Sequence, residues 1–190
     1  SIRILHLSDL HLGESAAPAD QPGLRERDEY LRSLRKMASL AAEVHPDVIA
    51  VVGDLFDSNY MAPRVADLAL EELAKMAVPV AILPGNHDSI APESIYWKVD
   101  LPRYVPNVRV FTRTQGETLV FPDHDLAIWG RPAERYGADV RPLAQIPARG
   151  PERWQVALAH GLYVGKERLA HRSFQISRDE VATSGRDYIA

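Results

Sequence analysis

Val48-Ile49-Ala50-Val51-Val52-Gly53-Asp54-Leu55-Phe56-Asp57 carries the decision about the fold of this chain. An uninterrupted apolar run reads as a strand buried on both faces, and it stops at a glycine followed by carboxylates. On its N-terminal side, Leu24, Leu31, Leu34, Ala38, Ala41 and Ala42 recur at helical spacing between Arg and Glu, which predicts an amphipathic helix over 24–44, ended by Pro46. Ahead of that helix, residues 13–23 are rich in Gly, Pro and small residues and read as a loop, and Ile2–Leu7 is a buried strand bounded by Ser8-Asp9. On the C-terminal side, Pro63 opens a second helix, with Val65, Leu68, Ala69, Leu73 and Met76 as its apolar face. Val80–Leu83 is a third strand, stopped by Pro84-Gly85. Strand, helix, strand, helix, strand implies a parallel sheet covered on both faces. After residue 107 the strands shorten and turn residues join them. Val108–Phe111, Thr118–Phe121 and Leu126–Gly130 read as antiparallel or mixed strands of a second sheet; Val156–His160 is a further strand and Asp187–Ala190 begins another. Residues 141–153, with three Pro and one Gly, read as a surface loop.

The chain has 190 residues, a length that favours one domain, and its 46% hydrophobic content supports a real core. It has no cysteine, which excludes disulfides, thiolate metal sites and cysteine nucleophiles. No basic leader and no long apolar run is visible, which fits a cytoplasmic protein with no membrane association. The net charge is −4, unevenly spread: residues 1–130 hold 12 Lys and Arg against 19 Asp and Glu, and residues 131–190 hold 10 against 7. Asp9, Asp54, Asp57 and Asp88 belong to the early acidic excess, which bound divalent metals would offset, so charge decides neither for nor against a phosphate polymer.

Each of the first three strands ends in a polar cluster: Asp9-Leu10-His11, Gly53-Asp54-Leu55-Phe56-Asp57 and Gly85-Asn86-His87-Asp88. Parallel strands bring their carboxyl ends to one sheet edge, where ligands bind. A fourth strand ends in His160-Gly161 and delivers another imidazole there. Carboxylates, neutral imidazoles and an amide oxygen suit divalent Mn, Fe or Zn. Two such ions about 3.5–4 Å apart need a shared carboxylate.

This ordered set resembles the calcineurin-like metallophosphoesterases. The wording Ser8-Asp9-Leu10-His11-Leu12-Gly13, Gly53-Asp54-Leu55-Phe56-Asp57-Ser58 and Pro84-Gly85-Asn86-His87-Asp88-Ser89 resembles, within them, the SbcD-type DNA-repair exonucleases. The resemblance implies an α/β fold, a four-layer α-β-β-α sandwich of two mixed sheets flanked by helices. It implies two divalent metal ions, Mn first, with Fe or Zn as alternatives. Asp9 and His11 would bind the first ion, Asp54 would bridge, and Asn86 and His160 would bind the second. His87 would contact the phosphate and protonate the leaving oxygen, with Asp57 orienting it. The reaction would be in-line attack on phosphorus by a hydroxide held between the metals. DNA is the implied substrate, and the implied partners are an ATPase subunit engaged through segments beyond residue 190 and, in a homodimer, a second copy. Ser58-Asn59 stands where the protein phosphatases of the superfamily carry Arg-Gly, which ranks that activity low.

One departure matters. The superfamily closes its site with Gly-His-x-His, one histidine for each metal, and no such pair follows Gly185. Asp187–Ala190 resembles the strand that leads into that motif, so residues 1–190 read as a C-terminally truncated catalytic domain that lacks this segment and any cap domain. Two other readings stand beside the nuclease: a small-molecule phosphodiesterase, and a non-catalytic binding domain if the native chain ends here. The remaining candidates have plainer explanations. His6 reads as a packed core residue, His45 as a helix cap, His124 as solvated, and His171 as part of a solvated basic run, Lys166–Arg172. Asp88 either fixes the turn that aims His87 or caps the segment after it. Tyr96 and Trp97 are candidates for base stacking, with burial as the safer reading.

Overall fold

The apolar run at 48–52 sits in the middle of a sheet. A computed structural model describes residues 1–13, 24–135, 137, 139–165 and 174–190. In it β1 (Ile4–Leu7), β2 (Val48–Val52), β3 (Val80–Leu83) and β4 (Val108–Val110) form a four-stranded sheet in that order, every neighbouring pair parallel. α1 (Leu24–Val44) precedes β2, and α2 (Pro63–Ala74), with Pro63 in its first turn, links β2 to β3. Further on lie β5 (Glu117–Phe121), β6 (Leu126–Gly130), β7 (Trp154–Leu158), β8 (Leu162–Val164), β9 (Gln175–Ser177), α3 (Arg178–Thr183) and β10 (Tyr188–Ile189). The second sheet runs β10-β7-β6-β5; only the β5–β6 pair is antiparallel. β8 and β9 form a separate parallel ribbon.

Alternation along the strands assigns the faces. Ile49, Val51, Val80 and Ile82 pack with Leu34, Met37, Ala66 and Leu70 of the two helices. Val48, Ala50, Val52, Ala81 and Leu83 point the other way, against Phe121, Leu126, Ile128, Val156 and Leu158 of the second sheet. β2 is therefore buried on both sides, which is why its sequence does not alternate. Fully burying one such aliphatic side chain is worth roughly 1.5–3 kcal/mol, so the first face favours docking of the helices and the second favours docking of the other sheet.

The α-β-β-α sandwich expected of the chain is thus recognisable, with several differences. The first sheet is wholly parallel rather than mixed. Val108–Val110, expected in the second sheet, is the edge strand of the first, because it leaves a chain segment that packs on α2 and pairs in parallel with β3. Among the described residues, the outermost layer over the second sheet is loop and ribbon more than helix: Leu143, Ile146 and Ile176 cover Trp129 and Ala157, and α3 has only six residues. The 141–153 loop therefore carries a core residue. The helix faces include the expected Leu34, Ala41, Ala69 and Leu73 and differ at their margins. Met37 is buried where Ala38 and Ala42 are exposed, and Ala66 and Leu70 are more buried than Val65 and Leu68. The loop expected at 13–23 and the basic run with His171 lie, apart from Gly13, outside the described residues. No described helix is long and apolar enough to cross a membrane.

Candidate metal centre

The carboxyl ends of β1, β2 and β3 lie on one edge, and backbone hydrogen bonds lock their exits together. The N–H groups of Asp9, His11 and Leu12 donate to the carbonyls of Gly53, Asp54 and Leu55 at 3.2, 3.0 and 2.9 Å, and Asp57 donates back to Leu12 at 3.0 Å. Asp9, His11 and Asp54 all adopt left-handed backbone conformations, φ 52°, 43° and 51°. Such conformations are costly for non-glycine residues and recur at functional sites, held by surrounding structure. Here the ladder between the two exits holds them.

Two glycines create the room. Gly53 has φ +80°, and a Cβ there would strike the His160 ring. A Cβ on Gly85 would strike the carboxylate and backbone of Asp54. Asp88 fixes the third exit. Fully buried, it accepts hydrogen bonds from the N–H of Gly85 at 2.7 Å, the N–H of Phe56 at 3.2 Å and the hydroxyl of Tyr96 at 2.8 Å. It thereby ties the Gly85–His87 turn to the loop after β2, and of the two readings of Asp88 the turn-fixing one matches this geometry. Burial pushes its carboxyl above the ordinary range, against the three hydrogen bonds.

Asp54 lies at the centre. Its Oδ2 is 3.4 Å from His160 Nε2 and 3.8 Å from His11 Nε2, and its Oδ1 accepts the His87 N–H at 3.0 Å. Burial would raise this carboxyl, but the bonds from His160 and the His87 N–H and the charges of both imidazoles outweigh it and hold the group below the ordinary range. Two sets of ligand atoms lie within 4.8 Å of one another, His11–Asp54–His87 and Asp9–Asp54–His160, and Asp54 belongs to both. Asp9 thus groups with His160 rather than with His11, and His87 joins the set that holds His11.

The donor chemistry fits cations. His160 Nδ1 faces the Val52 carbonyl at 3.3 Å, so its proton belongs there. Its Nε2 then meets two oxygens, Asn86 Oδ1 at 3.1 Å and Asp54 Oδ2 at 3.4 Å. Three lone pairs converge, and only a proton or a cation between them satisfies all three. Burial would lower the His160 pKa, but the Asp54 carboxylate outweighs it and raises the net value. Asp57 places its carboxylate 3.1 Å from His11 Nδ1 and only 3.8 Å from His87 Nδ1, which instead faces the Asp57 backbone carbonyl at 2.9 Å. Orientation of His87 by Asp57, expected of the carboxylate, is available chiefly from the main chain.

Asp9, Asn86 and His160 line a cleft of about 460 Å³ that Ala190, at the end of β10, also lines. His6 is on its wall, exposed and 3.1 Å from the Tyr188 hydroxyl, not packed in the core. His45 closes α1 in a left-handed conformation, its N–H donating to Ala41, as a cap. His124 is half-buried, 3.9 Å from Asp47. Tyr96 is buried, and Trp97 is half exposed with its indole N–H donated to Ala91 at 2.9 Å. Tyr60, which the motif reading passed over, lines a cavity with His87, as does Asn59; the signal for Tyr60 was only its place directly after Ser58-Asn59.

The family model of the calcineurin-like phosphoesterases matches residues 2–184. The DNA double-strand break repair protein Mre11 of Sulfurisphaera tokodaii is 32% identical over 112 residues, 54% of this chain and 28% of that protein. The uncharacterized metallophosphoesterase YhaO of Bacillus subtilis is 27% identical over 205 aligned positions, all of this chain and 47% of its own length. The SbcD subunit of the nuclease SbcCD of Staphylococcus saprophyticus is 30% identical over 92 residues, 46% of this chain and 23% of that protein. The chain spans less than half the length of each.

Proposed function

The chain belongs to the calcineurin-like phosphoesterase family, a metallophosphoesterase by that membership, and we propose that it hydrolyses phosphodiester bonds of DNA. The observation that carries this reading is Asp54, shared by two sets of candidate ligands on one sheet edge. Asp9, His11, Asp54, Asn86 and His160 would hold two divalent ions, and Mn suits a set of carboxylate, amide and imidazole donors. Ions bound there would acidify water and offset the charge of the phosphoryl oxygens.

The residues of the chain do the rest. The Val52 carbonyl and the Asp57 carboxylate keep protons on the Nδ1 atoms of His160 and His11, which leaves each Nε2 lone pair free to ligate. His87 rests its Nδ1 on the Asp57 carbonyl and has Nε2 for the substrate. In hydrolysis a water oxygen bonds to phosphorus and sheds a proton to solvent, the ester P–O bond breaks, and the departing oxygen takes a proton from protonated His87, which regains one from solvent. β10 ends at the cleft beside His160, so residues carried past Ala190 in a longer polypeptide would enter there.

The names of the relatives support a finer reading, service in double-strand break repair as a nuclease subunit, with an ATPase partner from the motif resemblance and the cytoplasm as the proposed compartment. The test is cleavage of single- and double-stranded DNA by the full-length protein with Mn²⁺. Metal-dependent release of nucleotides is expected. Cleavage of small phosphodiesters with no cleavage of any DNA would overturn the DNA assignment and leave a small-molecule phosphodiesterase.

A further inference from the structure

A second cavity opens on the other side of Asn86. It measures about 590 Å³ and is lined by Asn86, His87, Tyr60, Glu93, Glu134 and Arg135. Asn86 is the wall it shares with the cleft that holds Asp9 and His160. A phosphodiester centred on the candidate ligands would extend one of its two ester substituents past His87 into this cavity. Its size falls within the roughly 300–1,000 Å³ usual for small-ligand pockets.

The wall that carries Tyr60 is rigidly built. Buried Asn59 donates its amide to the Ser89 carbonyl at 2.9 Å and accepts the Ile95 N–H at 2.9 Å, and Lys98 Nζ donates to the Asn59 carbonyl at 2.7 Å. These bonds staple the loop after β2 to the loop after β3. On that frame Tyr60 is 78% exposed beside His87, with Lys98 Nζ over one face of its ring, 5.7 Å from the centroid, and the other face available to a base. Its hydroxyl donates to Glu93 at 3.4 Å. The charge of the cavity argues against a second phosphate. Arg135 is paired to Asp139 at 2.8 Å, and Glu93 and Glu134 face the same space. A flat, uncharged group with N–H donors suits it.

We propose that Tyr60 is a base-stacking residue and that this cavity takes the nucleobase of the leaving nucleoside, which makes the chain selective for nucleotide esters. The assignment rests on the phosphodiesterase reading above. Stacking on one aromatic side chain is sequence-tolerant, so no preference among bases is expected.

The test uses the full-length protein with Mn²⁺ and two substrates, a thymidine dinucleotide and its counterpart lacking the base on the leaving nucleoside. Tyr60→Ala raises KM for the dinucleotide about tenfold with kcat little changed, leaves the abasic substrate unaffected, and Tyr60→Trp restores the wild-type KM. A second readout needs no turnover: thymidine added to the metal-free protein shifts the Tyr60 ring resonances, identified by their loss in Tyr60→Ala, and deoxyribose does not. Wild-type cleavage of both substrates with Tyr60→Ala affecting neither, or both alike, overturns the assignment and leaves the phosphodiesterase reading standing. Cleavage of neither substrate by the wild type overturns both.

Discussion

The carboxylate of Asp57 lies 3.1 Å from Nδ1 of His11. A carboxylate can only accept there, so the proton sits on Nδ1 and the Nε2 lone pair is turned toward the shared carboxylate of Asp54. An imidazole fixed in this tautomer is prepared to ligate a cation. Replacing Asp57 by Ala therefore weakens Mn²⁺ binding about 10–100-fold, read by calorimetry on the full-length protein. Unchanged affinity with a reduced kcat would assign the carboxylate to His87 instead.

His87 makes its Nδ1 contact with a backbone carbonyl and its N–H contact with Asp54. His87→Ala keeps the backbone N–H bond to Asp54 and removes the imidazole with its Nδ1 contact. Turnover falls about 10²–10⁴-fold, as for loss of a positioned proton donor, while bound metal measured by elemental analysis stays nearly constant. Loss of both together would contradict its assignment as the proton donor.

Asp88 is a buried charge held by three donors. Asp88→Ala strands them and costs on the order of 3 kcal/mol in a denaturation experiment. Its carboxyl is raised in the folded protein, so its contribution to stability is fully present below the ordinary carboxylate pKa and is lost as pH climbs through the raised value. Asp88→Asn removes that part of the pH dependence; an unchanged profile would show that Asp88 is not its source.

Asp187 has the opposite sign. The Arg149 guanidinium at 2.8 Å and the Gln155 N–H at 2.7 Å hold its carboxyl below the ordinary range. Its contribution is present above the ordinary pKa and is lost as pH falls through the lowered one. Arg149→Met moves the Asp187 titration, followed by NMR, back toward its ordinary position and loosens the start of β10. A titration that does not move would remove Arg149 as the cause.

The sequence was most legible where one physical rule acts alone. Double-sided burial makes β2 an apolar run, and its Gly53-Asp54 exit marks the sheet edge where the other ligands collect. His160 was legible for the same reason, as the polar end of an apolar strand. What escaped depends on the third dimension. Val108–Val110 pairs in the first sheet through contacts that no local pattern encodes. His6 has strand neighbours but sits beside a cleft whose other walls come from Ala190 and His160. Tyr60 gains meaning only because Asn59 staples two loops distant in sequence. Asp57 was legible as a support for an imidazole; which imidazole depends on a difference of 3.1 against 3.8 Å.

The two-ion centre is tested most directly by the rate of bis(4-nitrophenyl) phosphate hydrolysis as Mn²⁺ is titrated into the metal-free full-length protein, beside Asp54→Asn. Asp54 is the one side chain common to both ligand sets. Expected are no rate without metal, a rise that requires two ions, and a loss of at least about 10³-fold in Asp54→Asn, as one group serves both ions. A wild-type rate independent of Mn²⁺, or an Asp54→Asn rate equal to wild type, would contradict it.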